Sequence, residues 1–447
     1  MAKTVNLTSG NIRTLILQFT WPVFVSRIFS ELYNITNSMI VGNYVSLKAL
    51  SAVSACSWIC NIFNYAFYGL GLGSGILVAR YYGANDKENL KKSLDTSLVF
   101  ALVGGLSLTL ISELCLPVLM DVCNISSELY ADAYSYLRVY LLGNTCVLTY
   151  QMCFFILRSL GDTKHQLYYS VIGSFINIGL GILFVRVLNL NVVGTSLATI
   201  ISQFIMNVLA LRLMFNYEGL DFSIKNINFE FSFVKRICAL GIPAGIQNML
   251  IAISSMLVQS YVNLFPNEVI AGIGVGEKVV NWGQLASVSV SAATVSLVAQ
   301  NVGAQRYDRV RETIKESLSI STGLTIVVCV LLFILAPTLV GSFNDNVEVL
   351  AYGTQMVRLS IFGMIFINYS HIYNGACRGA GNVKSPMIIA IFGQVICKFL
   401  FVYIGLKIFY DVHILYFGSA FGYMMAGIFA TIYFRKSRWT FENQLRL

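Results

Sequence analysis

Arg158-Ser159-Leu160-Gly161-Asp162-Thr163-Lys164 returns in this chain as Arg378-Gly379-Ala380-Gly381-Asn382-Val383-Lys384, 220 residues later. The same gapless shift pairs Gly83 with Gly303, Pro117 with Pro337, Asn124 with Asn344, Arg138 with Arg358 and Gly173 with Gly393. Pro22 and Pro243 agree with it to within one residue. So many matches at one offset mean that the chain holds two copies of a unit of roughly 220 residues, and its fold must be built twice.

The copies are too apolar to be soluble. Of 447 residues 56% are hydrophobic and 11% charged, whereas a soluble domain carries about 25% charged residues. Apolar runs of about 20 residues are long enough to cross a bilayer as helices. Twelve are readable, near 15–41, 51–78, 94–116, 132–157, 166–187, 192–214, 238–263, 270–299, 317–340, 351–376, 386–408 and 413–434. The expected fold is an all-α polytopic membrane protein. Residues 1–214 form the first six-helix unit, 215–237 a cytoplasmic linker holding Glu218, Asp221, Lys225 and Glu230, and 238–447 the second unit. An even helix number per unit makes the repeats parallel, an arrangement of secondary transporters whose substrate site lies between the halves.

The basic residues orient the chain. With the N-terminus inside, 22 of the 30 lysines and arginines fall in inner segments, from Lys3 to Arg446, and three (Lys48, Arg186 and Lys407) in outer loops. That bias predicts cytoplasmic termini in a multi-pass plasma-membrane protein. It also accounts for the net charge of +9 without a nucleic-acid partner. The first residues lack the apolar core of a cleaved signal peptide. The ten cysteines are scattered; Cys56 and Cys60 share a helix face but have no companions for a metal site, so packing is their expected role. A Walker A loop, HExxH and GxSxG are all missing, and His165, His371 and His413 stand far apart in sequence. Those gaps argue against an ATP-driven pump and against an enzyme.

Ionisable residues inside a span are costly and become functional candidates. Arg27 and Glu31 lie four residues apart on one face of the first helix. They either neutralise each other or leave Glu31 as a protonatable carrier tuned by Arg27. Glu277 in helix 8 and Lys398 in helix 11 sit at comparable depth and are expected to pair. Arg138 and Arg358 read as interface anchors. Tyr33, Asn34, Gln247, Trp282, Arg27 and Lys398 are candidates to line a substrate cleft. Pro22 and Pro243, early in helices 1 and 7, free a backbone carbonyl and mark hinge positions. Gly161 and Gly381 give tight turns in the repeated loops and complete the hinge or gating set. Gly83 and Gly303 are expected to stop helices 2 and 8.

The ordered stretches Leu7-Thr8-Ser9-Gly10, Trp21-Pro22 through Tyr33-Asn34 to Val41-Gly42, Gly69 through Gly83-Ala84, Arg158 to Lys164 and Val193-Gly194 through Ala198-Thr199, with their second-half counterparts, resemble the multidrug and toxic compound extrusion (MATE) family. The resemblance covers nearly the whole chain. It implies two six-helix lobes around a central cleft that opens alternately to each side. It also implies export of amphipathic, often cationic, drugs or metabolites against H⁺ or Na⁺, with no cofactor beyond that ion. The partners expected are a small-molecule substrate and the bilayer, with one chain acting as a monomer. The acids that such transporters use fall here on Asn37, with Asn177, Gly181 and Thr199 as partners, and near Ile251 and Ile367 in the second half. The cation-coupling candidates are therefore Glu31, Asn37, Asn177, Thr199 and Glu277. A lipid-linked saccharide flippase, which shares the two-lobe plan, is the alternative, with Arg27 and Lys398 suited to an anionic headgroup.

Overall fold

A computed structural model describes residues 6–122, 125–217 and 226–436. Asn124, Lys3, Glu218, Asp221, Lys225, Arg438 and Arg446 lie outside those residues. Among the described residues twelve helical rods follow one another, one for each predicted span: α1 Ile12–Tyr44, α2 Leu47–Gly83, α3 Lys87–Leu114, α4 Ser127–Ser159, α5 Thr163–Val187, α6 Asn191–Phe215, α7 Phe231–Val262, α8 Asn267–Gly303, α9 Tyr307–Gly341, α10 Val347–Gly379, α11 Lys384–Phe409 and α12 His413–Lys436. A short helix, Leu116–Val122, links α3 to α4. Ten of the rods are long and apolar enough to cross a membrane, and α4 makes an eleventh. The exception is α1, whose apolar content is diluted by Arg27, Glu31, Asn34 and Asn37.

The expected single span at 132–157 is broken. At Gly143 the segments Ser127–Leu142 and Asn144–Ser159 meet at 48°. Two other rods change their winding. Leu183–Val187 closes α5 in a π-helical turn, and Ile391–Cys397 is a π-helical stretch inside α11; such turns place one extra residue in the ladder and re-aim the side chains that follow.

Side chains cap two helices of the first unit, and the glycine turns repeat with the sequence. Helix α3 starts at Asp86, whose carboxylate caps the Asn89 N–H at 3.1 Å, and α5 starts at Asp162, which caps the His165 N–H at 3.0 Å. After α4, the Gly161 N–H bonds the Arg158 carbonyl at 3.0 Å with φ +85°; after α10, the Gly381 N–H bonds the Arg378 carbonyl at 2.8 Å with φ +89°. Only a residue without Cβ takes that backbone freely. Helices α2 and α8 end at Gly83 and Gly303, as the sequence suggests, but the left-handed residues that follow are Asn85 at φ +55° and Gln305 at φ +57°. Asn tolerates this region because its short polar side chain can bond locally, so glycine was not required.

The chain packs as two compact units. One comprises Pro22–Gly245; the other comprises Thr8–Trp21 and the chain from Ile246 onward. The divisions by packing fall inside α1 at Pro22 and inside α7 two residues after Pro243, not in the connection between α6 and α7. Within the first unit α2, α3 and α6 pack on α4, and α5 on α6; within the second α8, α9 and α12 pack on α10, and α11 on α12. The pairs correspond. Ser74 Oγ on α2 donates to Ser97 Oγ on α3 at 2.7 Å, and Thr294 Oγ1 on α8 donates to Ser317 Oγ on α9 at 2.9 Å.

In the first unit, α2 meets the first half of α7 backbone to backbone. A Cβ on Gly69 would sit 2.5 Å from the Gly241 carbonyl oxygen, and one on Gly73 would sit 2.4 Å from that of Ile237. Gly69 and Gly73 are four apart, as are Gly241 and Gly245. This small-residue spacing lets membrane helices touch along their backbones, where van der Waals packing rather than the hydrophobic effect holds them.

Candidate functional site

Five helices of the first unit turn polar stripes toward one cavity of about 490 Å³. From α1 come Ser30, Tyr33, Asn34, Asn37, Ser38 and Val41, spaced three, one, three, one and three, the rhythm of one helix face. Cys60, Asn61 and Asn64 come from α2, Tyr136, Tyr140, Tyr150 and Gln151 from α4, Ser170 and Ser174 from α5, and Thr195, Thr199, Ser202 and Gln203 from α6. No carboxylate, histidine, lysine or arginine is among the lining residues. Polar groups this deep must find partners, since lipid offers none.

Most of them do. The Tyr33 hydroxyl lies 3.1 Å from Thr199 Oγ1, tying α1 to α6. Behind them Asn177 of α5 is fully buried, and its Nδ2 donates at 3.4 Å both to Thr199 Oγ1 and to Ser202 Oγ. Thr199 itself donates to the Thr195 carbonyl at 3.0 Å, which leaves its oxygen accepting from the other two. Asn64 Nδ2 donates to the Tyr140 hydroxyl at 3.1 Å, and Tyr140 stacks on Tyr136 at 6.0 Å. Three of the buried amide oxygens without a hydrogen-bond partner belong to this region: Asn37 Oδ1 and Gln203 Oε1 on lining residues, and Asn177 Oδ1 behind them. Such groups cost free energy unless a ligand, ion or water reaches them. Gly181 adjoins the same place, because a Cβ there would lie 3.9 Å from Asn37 Oδ1.

Tyr33, Asn34, Asn37, Asn177 and Thr199 are thus brought together, with Gly181 beside them. Other sequence candidates lie elsewhere. Glu31 is not among the lining residues, is partly buried, and has Arg27 as its charged neighbour. The second unit holds Gln247, Glu277, Trp282 and Lys398. Gln247 Oε1 accepts from Arg378 Nη2 at 2.6 Å, and Trp282 packs on Phe343 at 5.7 Å. Lys398 is buried, with Glu277 in electrostatic reach. The expected pairing of these two is corrected: among the described residues no salt bridge within 4.0 Å joins them. Adjacent π-helical winding sets the direction of Lys398, which is not readable from residue spacing. Ile367 is buried and Ile251 half-buried, so the acid positions implied in the second half are apolar. Arg138 lies 3.8 Å from Glu113 and Arg358 covers the Phe333 ring at 5.0 Å.

Some polar residues escaped the sequence reading. Gln203 is one of many polar residues in the spans, and the signal at Tyr136 and Tyr140 is only their i,i+4 spacing on one helix face. In the second unit His371 Nε2 lies 3.5 Å from Gln284 Oε1, and Gln284 Nε2 donates to the Tyr423 hydroxyl at 3.1 Å. Three helices meet there, a convergence that sequence distance conceals. Asp95, 1% exposed, accepts from the Asn228 N–H at 2.9 Å and fastens the chain before α7 to α3.

The chain also matches known proteins. A profile of the family described as MatE matches residues 22–183 and again 243–404. The probable multidrug resistance protein YoeA of Bacillus subtilis (strain 168) is 24% identical over 384 residues, covering 84% of this chain and 82% of that protein. The multidrug export protein MepA of Staphylococcus aureus (strain MSSA476) is 25% identical over 401 residues, covering 86% of each. Among solved structures, the outward-facing conformation of a multidrug resistance MATE family transporter of the MOP superfamily aligns over 100% of both chains with a TM-score of 0.92 at 20% identity, a likeness of fold. The two family matches begin at the paired prolines, Pro22 and Pro243, and together take in most of the chain. This multi-pass membrane protein, twice built on one six-helix unit, belongs to the MatE family of transporters.

Proposed function

We propose that the chain exports amphipathic drug-like molecules or metabolites across the plasma membrane by alternating access, and that Na⁺ entering the cavity of the first unit drives it. The names of the relatives, multidrug resistance and multidrug export proteins, support the export reading. One observation carries the choice of ion: the cavity is lined by neutral side chains, Asn37 and Gln203 among them carry amide oxygens without partners, and Asn177 holds a third such oxygen behind Thr199 and Ser202. Neutral oxygens replace the hydration shell of a small hard cation, as carbonyls do in ion filters. A proton needs a base that titrates near neutral pH, and no histidine or carboxylate lines this cavity. Coupling then follows from affinity: Na⁺ favours one access state and the substrate the other. In this reading both termini are cytoplasmic and one chain is the working unit.

Efflux of a cationic dye from proteoliposomes tests it, with Na⁺ and pH gradients imposed separately. A Na⁺ gradient should drive efflux in the wild type and in Glu31→Gln. Asn177→Leu, which removes an oxygen and two donated hydrogen bonds, should reduce Na⁺-driven efflux about tenfold or more, the value of roughly one polar contact to a charge. Efflux driven by pH alone and abolished in Glu31→Gln would overturn the Na⁺ reading and make Glu31 the carrier.

A further inference from the structure

His371 is the one histidine in the interior of a predicted span; His165 precedes the fifth span and His413 opens the twelfth. It sits on α10 with its Nε2 3.5 Å from Gln284 Oε1 on α8, and Gln284 Nε2 donates to the Tyr423 hydroxyl on α12 at 3.1 Å. All three residues are half-buried and belong to the second unit. An amide oxygen only accepts, so the imidazole must present an N–H to it. The imidazolium carries a hydrogen on each nitrogen. The neutral ring carries one, and with that hydrogen on Nδ1 its Nε2 can only accept. Gln284 then turns over, donating to His371 and accepting from the Tyr423 O–H. The direction of this chain through three helices is fixed in the charged ring and reversible in the neutral one.

The 220-residue shift places Gln284, His371 and Tyr423 on Asn64, Gln151 and Gln203, three residues that line the cavity of the first unit. Packing keeps that register: a Cβ on Gly173 would meet Met206, and one on Gly393 would meet Ala426, both partners shifted by 220. In the first unit Asn64 is held by the Tyr140 hydroxyl at 3.1 Å. Ser360 stands at the Tyr140 position, and Gln284, one methylene longer than Asn64, reaches α12 instead. One place in the repeat is thus built from amides in the first copy and around an imidazole in the second.

Few charges share the spans around it. Helix α9 has no charged residue between Glu316 and Gly341, α7 none from Ile246 to Val262, and α12 none between His413 and Arg435. On α8, Glu277 and Lys278 lie about two turns before Gln284. On α10, Arg358 lies 13 residues before His371, and Arg378, seven residues after it, donates to Gln247 Oε1 at 2.6 Å. Helix α11 brings Lys384 in its first turn and Lys398, whose Cβ would lie 2.9 Å from one on Gly422 of α12. The tyrosines and thiols of these helices stay neutral near pH 7.

We propose that His371 is a proton-binding site of the second unit, and that the proton regulates export by fixing the chain that runs from α10 through Gln284 to α12. Imidazole is the side chain that gains or loses its charge between pH 5 and 8. A charge-assisted contact is shorter than 3.5 Å, so proton binding draws the imidazole onto Gln284 and holds α8 against α10. The proton is a second ligand beside the cation of the first unit: it tunes transport and does not drive it.

Magnetic resonance of the full chain in dodecyl maltoside, with histidine and tyrosine ring carbons labelled, tests this without transport. The His371 signal is the one lost in His371→Gln, and the Tyr423 signal the one lost in Tyr423→Phe. The His371 signal should titrate between pH 5 and 8. The Tyr423 signal should move with the same midpoint and stop moving in His371→Gln. Gln284→Leu removes the acceptor of the imidazolium and should lower proton affinity about tenfold, about one pH unit. Gln284→Glu puts a carboxylate there and should raise it by as much or more. The two shifts are opposite, so either variant carries the test if the other does not fold. The His413 signal should keep its midpoint in both. Na⁺-driven efflux, with equal pH on both sides of the membrane, should vary between about pH 6 and 8 in the wild type and stay level in His371→Gln. A His371 signal that does not titrate in this range, a midpoint indifferent to both Gln284 variants, or a Tyr423 signal indifferent to His371→Gln overturns the proposal. So does an efflux profile that is the same in His371→Gln and the wild type. If a Na⁺ gradient drives no efflux, the Na⁺ reading fails and the titration still decides this one.

Discussion

Replacing Gly73 by alanine tests how the first unit is held together. The new Cβ would lie 2.4 Å from the Ile237 carbonyl oxygen and 2.8 Å from the Gly241 nitrogen. Both are backbone atoms, so no rotamer change relieves the clash, and α2 and α7 must separate by about 1 Å to restore ordinary contact. Overpacking of this kind costs about 1–3 kcal/mol, and a rigid backbone neighbour places Gly73 toward the upper end. Alanine offsets up to about 1 kcal/mol through its better helix propensity. The net expectation is a loss of about 2 kcal/mol, a factor of roughly 30 in the unfolding equilibrium. Gly179 and Gly274 are the controls: nothing lies within 4 Å of a Cβ built on either, so alanine there should be neutral or should stabilise by up to about 1 kcal/mol. Unfolding in mixed micelles, followed by circular dichroism for all three variants, gives the comparison. If Gly73→Ala proves as stable as Gly179→Ala, the backbone contact between α2 and α7 is not what holds this part of the unit.

Two further expectations concern the surface. Asp86 caps α3 from outside the span, and hydrogen bonds from the Asn89 side chain and N–H hold its carboxyl below the usual carboxylate range. Its contribution is therefore full above the unfolded value near 3.9 and is lost as pH falls through the lower folded value. Thermal stability of the wild type should stay level from pH 7 to about 5 on this account, and Asp86→Ala should lose about 1 kcal/mol there. An unchanged Tm in that variant would remove the cap from the account. The orientation read from the basic residues predicts that cysteines placed at Lys48 and Lys407 react with an impermeant maleimide added outside cells, while those at Lys87 and Arg306 react only after permeabilisation. The opposite pattern would invert the topology.

Much of the architecture was legible because its causes are local or periodic. In a bilayer a long apolar run has few choices but helix, so twelve runs became twelve rods. A gapless shift of 220 residues predicted not just two similar units but the same turn after α4 and α10. Breaks inside a rod were less visible: the bend at Gly143 and the π-helical stretch before Lys398 leave hydropathy unchanged. The candidate site divided in the same way. Asn37, Asn177 and Thr199 could be named one by one, whereas the tyrosines at 136 and 140 form the opposite wall only once α4 has packed on α2 and α6.

The sequence by itself determined the class of protein, the number of rods, the duplication and the family, since each rests on composition, period or order along the chain. Tertiary structure decided which polar residues share a space. Tyr33 meets Thr199 across 166 positions and His371 meets Gln284 across 87; Glu277 and Lys398, matched in depth, stay beyond ion-pair distance. Depth in the membrane is set by counting residues along one helix. The facing of two helices is set by side chains packing between them, and that is a property of the folded unit alone.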